Sequence, residues 1–392
     1  MEPQTVIENV TQLAQAFAAQ RRERQQRTNR DKADFEALAK AGVLLSGVPA
    51  SMGGLWVDVA ASTRPYCEVL RILATGDPSV ALVTAMHPAV LGFWLTRPDA
   101  PPPYTEAWQS QTKALYQSAL DGHWWGTVTS EPGSGGDITR SKATARLAPG
   151  GEYRISGQKH FGSGSGISSY MITTAVPDGE SGADFFYMGM RGAVDARGVP
   201  VDGSAGIKLV APWDGYGMSA TQSHAFELTD YPATRIAWQG SQSAVSGVAG
   251  AFFSALFTAV VVGVVQSAYA AAAQRIVPRR DSLRRYEAVE WARIENEFWL
   301  IEQAYERLLQ HMEAKGPAAL LDSQHAKLAI AELAESLTQR ICRVIGGGSF
   351  SRSSHFGAAF EDVRALGFLR PPWALAYDQL LDRTWQAHEA GA

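Results

Sequence analysis

The sequence predicts an α+β multidomain protein in three blocks: helices, then β-structure, then helices. Three observations predict it. Apolar residues recur at helical spacing up to about residue 120. Short runs rich in Val, Thr, Tyr and Phe, broken by glycine clusters, then occupy residues 124–238. Past Gly247 the helical period returns and holds to the end. The chain of 392 residues is long enough for two or three domains, and this reading divides it at 1–120, 121–240 and 241–392.

In the first block, Val6, Val10, Leu13 and Phe17 share one face of a helix over residues 6–21. Phe35 and Leu38 mark a second over 32–41, which Gly42 ends. Met52-Gly53-Gly54 reads as a loop, and residues 66–73 and 79–95 as two more apolar helices. Pro98 and Pro101-Pro102-Pro103 form a stiff break. The strand candidates of the middle block are residues 125–129, 152–155, 170–175, 185–188 and 225–228. In the third block, residues 248–265 are nearly unbroken apolar sequence, about the length of a membrane-spanning helix. Ser254 and Thr258 interrupt the run, and no aromatic belt or flanking Lys/Arg asymmetry brackets it. It therefore reads as the buried helix of a bundle or subunit interface, and no membrane partner is expected. A Gly/Ser-rich turn at 346–354 divides the remaining helices.

Composition narrows the function. The chain is 46% hydrophobic and 19% charged, which suits a globular protein and excludes a disordered or fibrous one. Its 35 basic and 39 acidic residues give a net charge of -4, and basic runs stop at Arg279-Arg280 and Arg284-Arg285. Nucleic-acid binding is not expected. Cys67 and Cys342 support neither a disulfide framework nor a thiolate metal site, and His87, His160 and His224 lack ligand spacing. No metal is expected. The N-terminus lacks the basic-then-apolar signal pattern, so the expected location is cytoplasmic.

Glycine loops carry the chemical signal. Ser130-Glu131-Pro132-Gly133-Ser134-Gly135-Gly136-Asp137 is the densest, and glycines let a backbone approach a ligand with several N–H groups aimed at it. It lacks the lysine of a phosphate-binding nucleotide loop, and by itself it reads equally well as a long hairpin loop. Gln158-Lys159-His160-Phe161-Gly162-Ser163-Gly164-Ser165-Gly166 follows a short strand, and Gly346-Gly347-Gly348-Ser349-Phe350 interrupts the C-terminal helices.

The order of these motifs resembles the acyl-CoA dehydrogenase superfamily over nearly the whole chain. Phe35 to Val43 followed by residues 49–54 is similar to that family's helix and "P-x-x-x-G-G" loop. The 130–137 loop is similar to "T-E-P-G-x-G-S-D", and Ser156-Gly157-Gln158-Lys159 to "N-G-x-K". Residues 218–224 with Asp230-Tyr231-Pro232, and residues 344–350, resemble its two later motifs. The resemblance implies a helical N-terminal domain, a central β-barrel or sandwich, and a C-terminal four-helix bundle, assembled as a dimer or tetramer. It implies FAD, with FMN as the alternative, between the β domain and the bundle. Ser130 would bind the pyrimidine side, where reduction adds negative charge. Trp125, Thr127 and Val128 would give backbone contacts to the ring, Ser163 a hydroxyl near N5, and Phe161 its aromatic neighbour. Arg279 would meet the phosphates, with Arg343, Gly346 and Gly347 at the adenine end. Read as residues alone, the two serines also suit hairpin turns, Arg279 a helix-end cation, and each histidine a structural hydrogen bond.

The chain departs from the dehydrogenase pattern at the base. Thioester dehydrogenation needs a carboxylate to take the α-proton, and the two positions where the family keeps one hold Arg370 and Phe253. The segment Phe161-Gly162-Ser163-Gly164-Ser165 is closer to the flavin monooxygenase branch, which includes aromatic hydroxylases, sulfur oxygenases and amino-sugar N-oxygenases. Those enzymes take reduced flavin from a partner reductase and transfer one oxygen atom from O2. His87 falls where some of them keep an active-site histidine, and with Ser163 it is the catalytic candidate. Three readings follow: a monooxygenase of small molecules, an acyl-CoA or acyl-carrier dehydrogenase with a relocated base, and a non-catalytic member.

Overall fold

Aspartates start three helices of the first block. Asp31 accepts from the Ala33 amide, Asp58 from Ala61 and Asp77 from Val80, each satisfying an otherwise unpaired first-turn N–H. In the computed structural model, which describes residues 1–97 and 99–391, this block comprises six helices. They are α1 (Pro3–Ala19), the single turn α2 (Arg21–Arg24), α3 (Lys32–Lys40), α4 (Val59–Gly76), α5 (Pro78–Leu95) and α6 (Thr105–Leu120). Pro98 of the expected break lies outside the described residues. The sequence reading contains no α6, whose buried Trp108, Leu115 and Tyr116 are diluted by polar neighbours. Pro65 and Pro88 sit inside α4 and α5. Each removes one helical N–H, so the packing of these largely buried helices outweighs that loss.

The middle block is one sheet. Its strands are β1 (Trp125–Thr127), β2 (Thr144–Leu147), β3 (Tyr153–Gly162), β4 (Tyr170–Pro177), β5 (Asp184–Gly189), β6 (Ile207–Ala211) and β7 (His224–Arg235). β3 pairs antiparallel with β2 and β7, β7 with β5, β5 with β4, and β4 runs parallel to β2. Those pairings close a ring of five strands, a small barrel around Val128, Ile155, Met171, Phe186 and Phe226. β1 joins parallel to β4, and β6 joins β7. β2 and β6 escape the sequence reading because most of their side chains face solvent and the apolar alternation is lost.

The third block begins with α7 (Gln242–Ile276), α8 (Arg285–Lys315) and α9 (Leu320–Ile345). After them come α10 (His355–Val363), the single turn α11 (Ala365–Phe368) and α12 (Trp373–Gly391), so the fourth long helix of this block, α12 with 19 residues, follows two short ones. α5 and α7 are both long and apolar enough to cross a membrane, yet 94% and 83% of those stretches are buried within the fold. Gly263 explains how α4 and α7 come so close: a Cβ there would stand 2.1 Å from the Arg71 carbonyl oxygen. α5 packs on both β1 and α7, so it ties the barrel to the bundle.

Candidate functional site

β3 alternates its side chains across the barrel wall, and Ile155 and Lys159 both end up inside. A buried ammonium requires an anion. Glu131, in the loop after β1, supplies it: Lys159 Nζ donates to Glu131 Oε1 and to the Thr174 carbonyl. Glu131 also accepts from the Lys142 amide at 2.6 Å and from Ser141 Oγ. Burial works to raise the Glu131 carboxyl, but the Lys159 ammonium holds it below the usual carboxylate range. Burial in turn pulls Lys159 down to about 8, against the attraction of Glu131. The pair fastens the 130–137 loop to β3. Beside it the His160 amide donates to the Ser130 carbonyl at 2.8 Å, as an antiparallel bridge. Opposed residues in such a bridge project the same way, so Ser130 and His160 share a face. His160 Nε2 is buried there without a partner.

The C-terminal chain closes over this face. Lys327 of α9 donates to the Leu369 carbonyl at 2.7 Å and to the Pro371 carbonyl at 2.5 Å, which pins the turn after α11. Arg370, between them, donates from Nη2 to Ser130 Oγ at 3.1 Å. Gly136 makes room for the same turn, since a Cβ there would stand 2.6 Å from Pro372 Cγ. In the sequence, Arg370 stands out only as a position lacking a base. Its contact with Ser130 was not legible, because the two are 240 residues apart.

The other expected ring contacts divide. Ser163 is buried on the neighbouring hairpin, its Oγ 2.7 Å from Ser223 Oγ, which is 2.7 Å from Thr221 Oγ1. Phe161 stands 58% exposed at φ 59, a conformation rare for an aromatic residue and one that marks strained functional loops. Trp213 lies against it, with ring centroids 6.2 Å apart. Thr127 ends β1 half-buried. Of the backbone groups expected to meet the ring, the amides of Trp125 and Val128 are bonded within the fold: Trp125 N–H donates to His87 Nδ1 at 3.2 Å, and Val128 N–H to the Ile172 carbonyl at 2.9 Å. The catalytic expectation for His87 is corrected by the same bond. His87 is fully buried, and its Nε2 pairs with the Leu44 carbonyl at 3.0 Å. One nitrogen accepts and the other donates, both to backbone, so neither is left to move a proton.

The phosphate-end residues form a second group at one end of the bundle. Arg279 Nη2 donates to the Val344 carbonyl at 3.2 Å, beside the Gly346 cap of α9. Arg343 stands half-exposed, 3.9 Å from the Glu290 carboxylate, and Gly347 borders open space. The bonds holding this group run to the bundle, not to the hairpins.

A small polar cavity of about 50 Å³ lies apart from both groups, lined by Arg24, Asp77, Ser79, His355 and Asp362 among others. It has room for a few waters and is far too small for a flavin. Asp362 accepts the Met218 amide at 2.6 Å there, and burial raises its carboxyl to about 7, opposed by that bond and helped by Asp77 and Glu361. A folded-state value above the unfolded one means that its stability contribution is complete below about 3.8 and lost as pH rises through about 7. Asp362→Asn keeps an acceptor and cannot ionise. Its Tm is expected to exceed the parent's by about 2–4 °C at pH 8, with the difference shrinking at pH 5, in paired thermal melts.

The loop and the hairpin carry groups of the kind that hydrogen-bond the edge of a planar ring: the Ser130 hydroxyl and an orphaned buried imidazole nitrogen on one face, an exposed aromatic at the next residue, Phe161, and the buried Ser163 hydroxyl two residues further on. No family-level sequence profile matches the chain. Amino sugar nitrososynthase RubN8 of Streptomyces rubradiris is 25% identical over 365 residues, 86% of this chain and 79% of that one. A dibenzothiophene monooxygenase of Rhodococcus qingshengii is 29% identical over 212 residues, 54% of this chain and 45% of the other. Among solved structures, KijD3 in complex with FMN and a dTDP-linked amino-keto sugar superposes with a TM-score of 0.79 at 20% identity, covering 98% of this chain and 94% of that one. Butyryl-CoA dehydrogenase of Megasphaera elsdenii superposes with a TM-score of 0.80 at 15% identity, covering 98% of each.

Proposed function

We propose that this chain, an acyl-CoA dehydrogenase-like flavoprotein related to the monooxygenase branch, is a reduced-flavin monooxygenase that transfers one oxygen atom from O2 to a nitrogen or sulfur of a small molecule. The observation that carries the reading is Arg370. Of the two positions where the resemblance puts a dehydrogenase's base, one holds Phe253 and the other a guanidinium bonded to Ser130, and a guanidinium cannot take a proton at neutral pH. The nitrososynthase and dibenzothiophene monooxygenase relatives support oxygen transfer to nitrogen or sulfur.

FMN or FAD would lie against the two hairpins, and the flavin, when bound, supplies the two electrons and the carbon at which O2 is activated. The chain's own contribution is positional. Ser130, bonded to Arg370, would hold the pyrimidine edge, and the buried Ser163 hydroxyl, fixed by Ser223, would serve the N5 side. Phe161 covers the ring rim. Arg279 would bind phosphate, and Arg343, Gly346 and Gly347 would meet the distal end of the cofactor, in a dimer or tetramer from a neighbouring subunit. A separate flavin reductase delivers the reduced cofactor, and the chain works in the cytoplasm.

Supplied with FMN, a flavin reductase, a reduced nicotinamide as its electron donor, and ¹⁸O2, the protein is expected to put one labelled oxygen into an amino-sugar or thiophene-type probe, the other leaving as water, read by mass spectrometry. Under anaerobic conditions a panel of acyl-CoAs is expected to leave the absorbance of bound oxidised flavin unchanged. Bleaching by any of them would favour the dehydrogenase reading and overturn this one.

A further inference from the structure

We propose that Arg30 is a positioning residue for the Ser163 hydroxyl: through Gln222 it holds residues 218–224 in the strained backbone that joins Thr221, Ser223 and Ser163 into one hydrogen-bonded chain. The inference rests on the flavin reading above and deepens it by naming what fixes the N5-side hydroxyl.

Arg30 lies between α2 and α3, in the first block of the chain. It is buried, and its guanidinium stands over the Phe35 ring, 5.5 Å from the centroid. Among the described residues no carboxylate comes within 4.0 Å of it. Nε and Nη1 are sealed from solvent without a partner, while Nη2 donates to Gln222 Oε1. Burial lowers the group to about 9, with Asp77 opposing the shift, so it stays charged at neutral pH. A dry cation bonded to a neutral amide is an unfavourable way to join two segments. Such a cost is tolerated where the conformation it enforces serves a site.

That conformation is on the other side of the bond. Gln222 takes φ 50, in the left-handed region where a Cβ crowds the backbone. Its side chain is gripped at both ends. Oε1 accepts from Arg30, and Nε2 donates to the Ala196 carbonyl at 3.0 Å and to Asn29 Oδ1 at 3.4 Å. The residues flanking Gln222 supply the chain. Thr221 Oγ1 lies 2.7 Å from Ser223 Oγ, which lies 2.7 Å from Ser163 Oγ, and the Gly164 amide donates to the Thr221 carbonyl at 2.9 Å. Three hydroxyls joined by two bonds leave one hydrogen over. Among the described residues the fully buried Thr221 hydroxyl has no partner but Ser223. A spare hydrogen at Thr221 would be stranded in the interior. Thr221 therefore donates to Ser223 and Ser223 to Ser163, which leaves Ser163 to donate outward. Release of Gln222 would let its φ relax, part Thr221 from Ser223 and free the Ser163 hydroxyl to turn.

Two readouts test this. One is hydrogen exchange of the hairpin amides around Gly164 in the flavin-free protein. The other is the ¹⁵N resonance of N5 in bound oxidised FMN, which moves when a donor bonds there. Gln222→Ala and Gln222→Gly both strip Arg30 of its acceptor, but only glycine takes this φ without strain. Gln222→Ala is expected to speed exchange about tenfold and to move N5 towards its position in Ser163→Ala. Gln222→Gly is expected to stay close to the parent in both. Arg30→Met should behave like Gln222→Ala, recover when Gln222→Gly is added, and add nothing to the N5 shift of Ser163→Ala. If Arg30→Met does not fold, the alanine–glycine pair carries the test. A merely structural bond predicts that alanine and glycine at 222 behave alike, and that result overturns the assignment. So does an Arg30→Met protein with the parent's exchange and N5 resonance. If Ser163→Ala leaves N5 where it was in the parent, the flavin reading of Ser163 fails and takes this inference with it, whatever exchange shows.

Discussion

Lys159→Met is expected to cost about 3–5 kcal/mol of stability and to remove measurable flavin binding from whatever protein still folds. The change leaves a methionine of similar reach in a wall that accepts it, so the loss comes from Glu131. That carboxylate is buried with its amide and hydroxyl donors intact but without its cation. It must then either take up a proton or pull the 130–137 loop away from β3. The first response weakens its bond from the Lys142 amide, and the second displaces Ser130, whose carbonyl is tied to the His160 amide. The double variant Lys159→Met with Glu131→Gln separates the two effects. Replacing both charged partners removes the unpaired charge and is expected to recover much of the stability. Denaturant unfolding measures the recovery, and FMN titration shows whether the loop returns to position. If Lys159→Met unfolds like the parent, the clamp is not what holds the hairpins together.

This clamp shows what sequence alone could and could not reveal. Long elements were legible because their period repeats many times: the apolar run at 248–265 lies within α7, and Tyr170 to Ala175 within β4. Lys159 was legible in principle. It shares the inward face of β3 with Ile155, and a lysine on an inward face calls for a carboxylate nearby. Short edge strands were not legible, because three of the four residues of β2 are exposed and carry no alternation. The contacts that matter most at the site are also the most distant in sequence. Arg370 meets Ser130 only because α9, through Lys327, holds the C-terminal turn over the loop. Nothing local at Leu369-Arg370-Pro371 encodes that approach. His87 misled for the opposite reason: a histidine in an apolar helix looks identical in sequence whether its nitrogens face a cavity or two backbone groups.

For His87 the expected result is therefore a loss of stability rather than of chemistry. His87→Leu strips the Trp125 amide of its acceptor and the Leu44 carbonyl of its donor, both in a dry interior. At about 1–3 kcal/mol for each unsatisfied buried group, the total for the two is about 2–6 kcal/mol. pH provides an independent check. Burial lowers the His87 imidazole to about 4, against its bond to Leu44. The folded-state value lies below the unfolded 6.5, so the neutral ring's contribution is complete above about 6.5 and lost as pH falls through about 4. The stability gap between parent and His87→Leu should be widest at pH 7–8 and narrow towards pH 4 in paired unfolding curves. Gly47→Ala attacks the same bond from the other side, since its Cβ would stand 2.7 Å from His87 Nε2 and 2.2 Å from Leu91 Cδ1. It should destabilise in the same direction with His87 still present. A proton-transfer role predicts another pattern: turnover down by about 10²–10⁴ with unfolding unchanged. If His87→Leu gave that pattern, the backbone bonds seen here would have to open during the reaction, and α5 would have to move away from β1 to let them.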